Sequence, residues 1–171
     1  MSTRAKHIRQ AATAFCMLAL SPLLMPAAGQ SVERSFRDGA RAYEAGDYAT
    51  ALRHWVPLAQ KGEATAQYNL GKMYENGQGL PQDYEEAAGW YWLAAKQGYA
   101  DAQINLGIMY ALGQGVREDL VTAFMWARIA KANGASGDLA GLIGEQLTNE
   151  QFREGLDRRN ACLRSSYRDC D

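Results

Sequence analysis

The sequence predicts an all-α protein in which about three antiparallel helix pairs stack into a solenoid, with a C-terminal helical segment as a cap. The first observation is an internal repeat, because residues 62–97 align with residues 98–133 at a spacing of 36 residues. The second is that apolar residues recur at helical spacing within each unit. The third is a polar tail that departs from the repeat. A period in this range is typical of helical repeat proteins, whose units bury apolar faces against their neighbours.

The two aligned segments are identical at sixteen positions, which are mostly glycine, alanine, aromatic, apolar and capping residues. The identical pairs are Gly62/Gly98, Ala64/Ala100, Ala66/Ala102, Gln67/Gln103, Asn69/Asn105, Leu70/Leu106, Gly71/Gly107, Met73/Met109, Tyr74/Tyr110, Gly77/Gly113, Gln78/Gln114, Gly79/Gly115, Asp83/Asp119, Ala87/Ala123, Trp90/Trp126 and Ala94/Ala130. Because these residues recur at the period, we interpret them as architecture, and the aromatic ones as core, before any functional role is considered.

The N-terminal residues 1–29 are predicted to be a cleaved secretory signal peptide. Three basic residues precede an uncharged stretch at residues 11–28, and small residues follow it. An uncleaved membrane anchor is the alternative, but Pro22, Pro26 and the small residues at the exit favour cleavage. The mature protein is therefore expected to be periplasmic or secreted, with no stable membrane span after cleavage.

Charge and cysteine content limit the classes of function. The full chain has 18 basic and 19 acidic residues, a net charge of −1, and loss of three basic residues with the signal would give −4. This balance argues against nucleic-acid binding. Cys162 and Cys170 would be the cysteines that remain, and an even number in an exported protein predicts a disulfide. Two free thiols are the alternative.

Each unit is predicted to contain an A helix and a B helix. The predicted helices are about 31–45 and 48–61 in unit 31–62, 64–75 and 84–97 in unit 63–98, and 100–112 and 120–133 in unit 99–134, within a solenoid at residues 30–135. Asp83 and Asp119 are predicted N-caps of the B helices, and the turns before them are rich in glycine. Gly71 and Gly107 lie inside A helices, where we expect a neighbouring helix to pass close to the backbone.

Residues 136–171 are predicted to form the C-terminal helical cap. Residues 137–146 resemble a short helix, and Gly134 closes the helix before it. Thr148 and Gln151 have the spacing of a capping box, so a longer helix is expected from there to about Tyr167. The ends of a solenoid need a cap with one polar face, and the charged residues of this segment suit that role.

A spaced pattern of small, aromatic and capping residues runs twice through the solenoid. Its positions are Ala66, Leu70, Gly71, Tyr74, Gly77, Gly79, Leu80, Asp83, Ala87, Trp90, Ala94 and Gly98, and it runs again from Ala102 to Gly134. It resembles the Sel-one-like repeat, a longer-looped relative of the tetratricopeptide repeat, over about residues 36–134. The tail is similar to the cap of exported bacterial members. The resemblance implies a right-handed superhelix and an adaptor or scaffold role.

Few residues could carry chemistry. His54 is the single histidine outside the predicted signal, and with two cysteines it cannot build a zinc site. The motifs S-x-x-K and G-x-S-x-G are absent. The sequence therefore predicts no catalytic residue, no metal site and no cofactor. The alternative, a cell-envelope enzyme or a β-lactam-binding protein of the cysteine-rich repeat type, is a poor match because such members usually have a disulfide in each repeat.

The resemblance implies that A helices line a concave surface that binds a protein or peptide. The residues placed there by alignment are Arg37, Arg41, Glu44, Tyr68, Lys72, Glu75, Asn76, Ile104, Ile108 and Leu112. This surface is predicted to be basic at one end and apolar at the other, and to accept a peptide with an acidic part and an apolar part. The alternative is that the C-terminal helices cover Ile104, Ile108 and Leu112.

Overall fold

The computed structural model describes residues 27–170, with side chains from Gly29 onward. The described part contains eight α-helices and no β-strand. They are α1 (Ala27–Glu44), α2 (Tyr48–Gln60), α3 (Ala64–Asn76), α4 (Tyr84–Ala95), α5 (Ala100–Leu112), α6 (Leu120–Ala132), α7 (Leu139–Gly144) and α8 (Asn149–Arg164). The all-α prediction is thus confirmed. The predicted signal peptide lies outside the described residues except for its last three, which begin α1.

The helices form a one-dimensional stack. α1 packs against α2, α3 against α4, and α5 against α6, so each A helix pairs with the B helix that follows it. α2 also packs against α3, and α4 against α5, which joins consecutive pairs. Each pair buries its apolar face partly against the next, as expected for a solenoid. No helix of residues 27–170 combines the length and apolar character needed to cross a bilayer.

Local chemistry accounts for the helix boundaries. The carboxylate of Asp83 accepts hydrogen bonds from the backbone N–H groups of Glu85 and Glu86, and Asp119 caps α6 in the same way. Gly77 and Gly113 end α3 and α5 with φ of 65° and 66°, a left-handed conformation that glycine adopts without strain. Thr148 begins α8 with the expected capping box.

Glycine inside α3 allows close packing of the second pair. A Cβ atom on Gly71 would lie 2.6 Å from the ring of Tyr91 in α4. Tyr91 is completely buried in the core of this pair. The residues Tyr74, Trp90 and Tyr110, which were predicted to be core, are only partly buried. In the third pair Trp126 is completely buried instead. The two pairs therefore place their completely buried aromatic side chain at adjacent positions of the B helix.

A buried glutamine connects each pair to the one before it. In α5, Gln103 is completely buried, donates to the carbonyl of Ala95 at 2.9 Å and accepts from Asn133 at 3.0 Å. Gln67 makes the corresponding bonds with Ala59 and Gln97. Each glutamine satisfies a carbonyl at the end of the preceding B helix, where no intrahelical donor remains. This explains why glutamine recurs at the period.

The cap packs against the last B helix. Both α7 and α8 contact α6, and Phe152 of α8 lies 4.8 Å, centroid to centroid, from Phe124 of α6. Cys162 and Cys170 are buried and form the predicted disulfide. The hydroxyl of Tyr167, in the loop that this disulfide closes, accepts a hydrogen bond from Asn133 at 2.9 Å. The cap is therefore attached to the repeats by packing, by a hydrogen bond and by its own cross-link.

Candidate partner-binding surface

The residues predicted to bind a partner lie on three successive A helices, α1, α3 and α5, and we call them the A-helix surface. Arg37, Arg41 and Glu44 are exposed on α1. On α3, Tyr68, Lys72 and Glu75 are half-buried and Asn76 is exposed, while on α5 Ile104 and Ile108 are half-buried and Leu112 is 62% exposed. The structure therefore leaves all ten side chains at least partly accessible.

At the α1 end of the surface, the guanidinium groups of Arg37 and Arg41 each form a weak ion pair. Arg37 lies 4.0 Å from Glu33, and Arg41 lies 3.5 Å from Asp38, both on α1. Exposed pairs within a helix contribute about 0.3–0.5 kcal/mol. Both arginines could therefore exchange these partners for an acidic ligand at little cost.

The centre of the surface is aromatic and cationic. The ring of Tyr68 lies 5.0 Å from that of Tyr99, and the ammonium of Lys72 lies 5.7 Å from the Tyr68 ring centroid. Burial, followed by the nearby Asp101 carboxylate, raises the pKa of Tyr68 above its ordinary value. Its hydroxyl therefore stays protonated at neutral pH and can donate a hydrogen bond.

Glu75 is engaged by the fold. Its carboxylate accepts a hydrogen bond of 2.5 Å from the hydroxyl of Tyr91, and the side chain of Asn105 in α5 lies near that hydroxyl. Burial, and then the Glu75 carboxylate, strongly raise the pKa of Tyr91, so the hydroxyl remains a donor. Glu75 therefore offers only part of its acceptor capacity to a partner.

The other end of the surface is apolar. The cap packs mainly against α6 rather than against α5, and Leu112 remains largely exposed. This arrangement does not support the alternative in which the C-terminal helices cover Ile104, Ile108 and Leu112. An apolar partner segment therefore has accessible surface at this end.

Three residues of this region were missed by sequence reasoning: Tyr91, Tyr99 and Asn105. Asn105 is one of the residues that recur at the period and are therefore interpreted as architecture, whereas Tyr91 does not recur. One signal was present, since position 91 holds tyrosine where the other pairs have Trp55 and Ala127. A tyrosine at a core position needs a hydrogen-bond partner, which points to a nearby polar side chain such as Glu75.

In the described part of the chain, the side chains that could bind a metal ion or act in catalysis are considered next. No group of three or more His, Cys, Asp or Glu residues there could hold a metal ion. The ring Nδ1 of His54 lies 3.2 Å from the Ser35 hydroxyl, which joins α2 to α1. This contact gives His54 a place in the packing of the first helix pair.

Comparison with known proteins identifies the repeats. The Sel1 repeat family matches residues 64–99 and 100–134. No curated protein sequence matches the chain. Among solved structures, a protective antigen of uropathogenic Escherichia coli, c5321, described as displaying an SLR fold, is similar with a TM-score of 0.74 and 27% identity, over 82% of this chain and 32% of that protein.

Two further structures are similar. A Sel1 repeat protein from Oxalobacter formigenes gives a TM-score of 0.61 and 30% identity, over 79% of this chain and 59% of that one. Cysteine rich protein B of Helicobacter pylori shares the fold, with a TM-score of 0.51 and 20% identity, over 66% of this chain and 95% of that one. The chain thus spans about a third and about three-fifths of the first two relatives. The chain thus contains two Sel1 repeats, at residues 64–99 and 100–134, in a stack of helix pairs similar to those of these SLR proteins.

Proposed function

We propose that the protein is an exported, non-catalytic adaptor or scaffold that binds a protein partner along its A-helix surface. This proposal rests on the surface positions at which the aligned repeats have different residues. Tyr68 and Lys72 on α3 correspond to Ile104 and Ile108 on α5, and all four side chains are partly accessible. Positions that differ between otherwise similar repeats and stay partly accessible can encode specificity for a partner.

The basic, aromatic and apolar groups of the surface indicate which kind of partner it would bind. Arg37 and Arg41 attract acidic groups, Tyr68 and Lys72 offer aromatic and cationic contacts, and Ile108 offers apolar area. A peptide with an acidic part followed by an apolar part, either extended or helical, is complementary to this order. The electrostatic part would act mainly on the association rate and on orientation, and the apolar part on the lifetime of the complex.

Export is supported by two features of the chain. Residues 1–29 have the charge and apolar pattern of a signal peptide. The disulfide between Cys162 and Cys170 is of a kind that persists in oxidising compartments such as the periplasm. We therefore place the adaptor in the bacterial envelope or outside the cell.

Site-specific photo-crosslinking in producing cells tests the proposal. A benzoylphenylalanine at position 72 or 108 should give one discrete adduct of the same partner, whereas the same group at Arg153, exposed on the cap, should not. Lys72→Glu and Ile108→Asp should each weaken binding of the purified partner at least tenfold without changing the circular dichroism spectrum. Equal crosslinking from position 153, or hydrolysis of the β-lactam nitrocefin by purified protein, would contradict the proposal.

A further inference from the structure

An apolar groove lies between the second and third helix pairs and opens away from the A-helix surface. Its wall on α4 is formed by Glu85, Ala88, Gly89 and Trp92, and its other wall by Leu106, Tyr110, Gly115 and Val116. We call it the outer groove. Leu106 and Tyr110 each follow an A-helix surface residue by two positions, which is about 200° around a helix. The groove therefore faces a different direction from the proposed partner-binding surface.

The size of the outer groove suits one large side chain. Its volume is about 260 Å³, below the roughly 300–1,000 Å³ of pockets that hold drug-sized ligands. Its lining is mostly apolar and aromatic, and Glu85 supplies the one charged side chain, near the N-terminus of α4. Lys96 covers one face of Trp92, with its ammonium 3.8 Å from the ring centroid. The indole is thus held in a defined orientation beside the groove.

Gly89 is not explained by packing within the chain. It is exposed in the interior of α4, and a Cβ atom built there would meet nothing within 4 Å. Glycine at such a position destabilises a helix by about 0.5–1 kcal/mol relative to alanine. The equivalent positions hold Arg53 and Met125. A side chain at 89 would project into the groove, so glycine keeps the groove open.

The cap of the protein shows which chemistry this face of a B helix accepts. On α6, the position equivalent to Ala88 is Phe124, and the ring of Phe152 packs on it at 4.8 Å. Near the start of α6, the guanidinium of Arg158 lies 3.3 Å from Asp119 and 3.0 Å from the Thr122 hydroxyl. An aromatic side chain and a basic side chain therefore cover the third pair.

The corresponding turn of α4 has the negative charge but not the basic partner. Asp83, Glu85 and Glu86 are exposed there, and among residues 29–170 none of the three forms an ion pair. Carboxylates at a helix N-terminus are stabilised by the helix dipole, and they still attract cations from solution. The charge of this turn is therefore complementary to a basic ligand.

We propose that the outer groove docks a segment of a partner protein that places a large apolar side chain, such as phenylalanine, over Gly89 and a basic side chain beside Glu85. The third helix pair already buries Ala88, so the segment would add at Gly89 and Glu85 an aromatic and a basic contact of the kind that Phe152 and Arg158 make at α6. The site is independent of the A-helix surface, so the two proposals can fail separately.

Titration with short blocked peptides, followed by NMR of the tryptophan indole N–H groups, tests the proposal. Acetyl-Arg-Phe-Arg-amide at millimolar concentration should shift the Trp92 resonance in a saturable way, and acetyl-Glu-Phe-Glu-amide and acetyl-Arg-Ala-Arg-amide should not. Gly89→Leu should abolish the shift because it fills the groove. Arg53→Leu, which places the same side chain at the equivalent position of α2, should leave it unchanged. Glu85→Arg should reverse the preference to the acidic peptide.

Several outcomes would overturn the proposal. One is the absence of a saturable Trp92 shift with the basic aromatic peptide, and another is an equal shift with the acidic one. Persistence of the shift in Gly89→Leu would place the peptide elsewhere. Self-association of the free protein that Gly89→Leu abolishes would assign the groove to a second copy of the chain.

Discussion

The hydroxyl of Tyr91 and the carboxylate of Glu75 form a hydrogen bond of 2.5 Å between α4 and α3. Tyr91 is completely buried, and Glu75 is half-buried. The side chain of Asn105 in α5 lies near the same hydroxyl, so this bond is located where two consecutive pairs meet. A residue of the predicted partner-binding surface thus also contributes to the stacking of the repeats.

Replacing Tyr91 with phenylalanine should destabilise the protein. The substitution keeps the ring but leaves the Glu75 carboxylate without its donor, and hydrogen bonds to charged groups contribute about 1.5–3 kcal/mol. We expect the free energy of unfolding in urea to fall by about this amount, with an unchanged m-value. Glu75→Gln retains an acceptor oxygen and should have a smaller effect. An equal loss in both variants would mean that the negative charge, rather than the bond, is what matters.

Two glycines in neighbouring helices should respond oppositely to alanine. Gly71→Ala would bring a Cβ atom to 2.6 Å from the buried Tyr91 ring, so we expect a net loss of about 1–2 kcal/mol despite better helix propensity. Gly89→Ala meets no atom within 4 Å and should stabilise the protein by about 0.5–1 kcal/mol. Thermal and urea unfolding of the two variants provide the measurement. A loss of stability in Gly89→Ala would show that glycine is needed there for folding.

Most of the helical architecture could be predicted because turn chemistry marks its boundaries. Asp83 and Asp119 each precede a B helix, and both act as N-caps in the structure. The first helix was the least accurate: α1 begins at Ala27 rather than about residue 31, because the helical pattern continues into the predicted signal peptide.

The candidate sites were less predictable because they depend on contacts across helices. The alignment placed Glu75 on the partner-binding surface, but its bond to Tyr91 depends on how α4 is rotated against α3. Nothing in the sequence around Gly89 and Trp92 predicts a groove, because its other wall is formed by α5 and the turn that follows it. The sequence feature that could have pointed to Gly89 is a difference between repeats, because the equivalent positions hold Arg53 and Met125.

Loss of the disulfide should loosen the cap more than the repeats. Cys162 and Cys170 are eight residues apart, and closing a loop of this length stabilises the folded state by about 2–3 kcal/mol in the chain-entropy model. Cys170→Ser should lower stability by that order, and it should release Tyr167 from Asn133. We expect hydrogen exchange to accelerate in residues 162–170 while α3–α5 keep their protection. Uniform acceleration across the chain would mean that cap and repeats unfold as one unit.

Acid should weaken the attachment of the cap through Asp119. Burial alone would raise the pKa of this carboxyl, but hydrogen bonds from Thr122 and Val121, together with Arg158, more than offset it and hold the pKa below its ordinary value. A lowered pKa in the folded state stabilises the protein fully above the unfolded-state value of about 3.9. That stabilisation is lost as the pH falls through the folded-state pKa.

The variant Asp119→Asn isolates this effect, because asparagine can still cap α6 but carries no charge. At neutral pH the variant should be less stable than the wild type by about 1 kcal/mol, the scale of a favourable partly exposed charge pair. The difference should shrink below about pH 4 as Asp119 becomes protonated. Asp83→Asn is the matched control, since Asp83 caps α4 without an arginine at ion-pair distance among residues 29–170. An Asp119→Asn difference that does not change with pH would show that the charge of Asp119 contributes nothing to holding the cap.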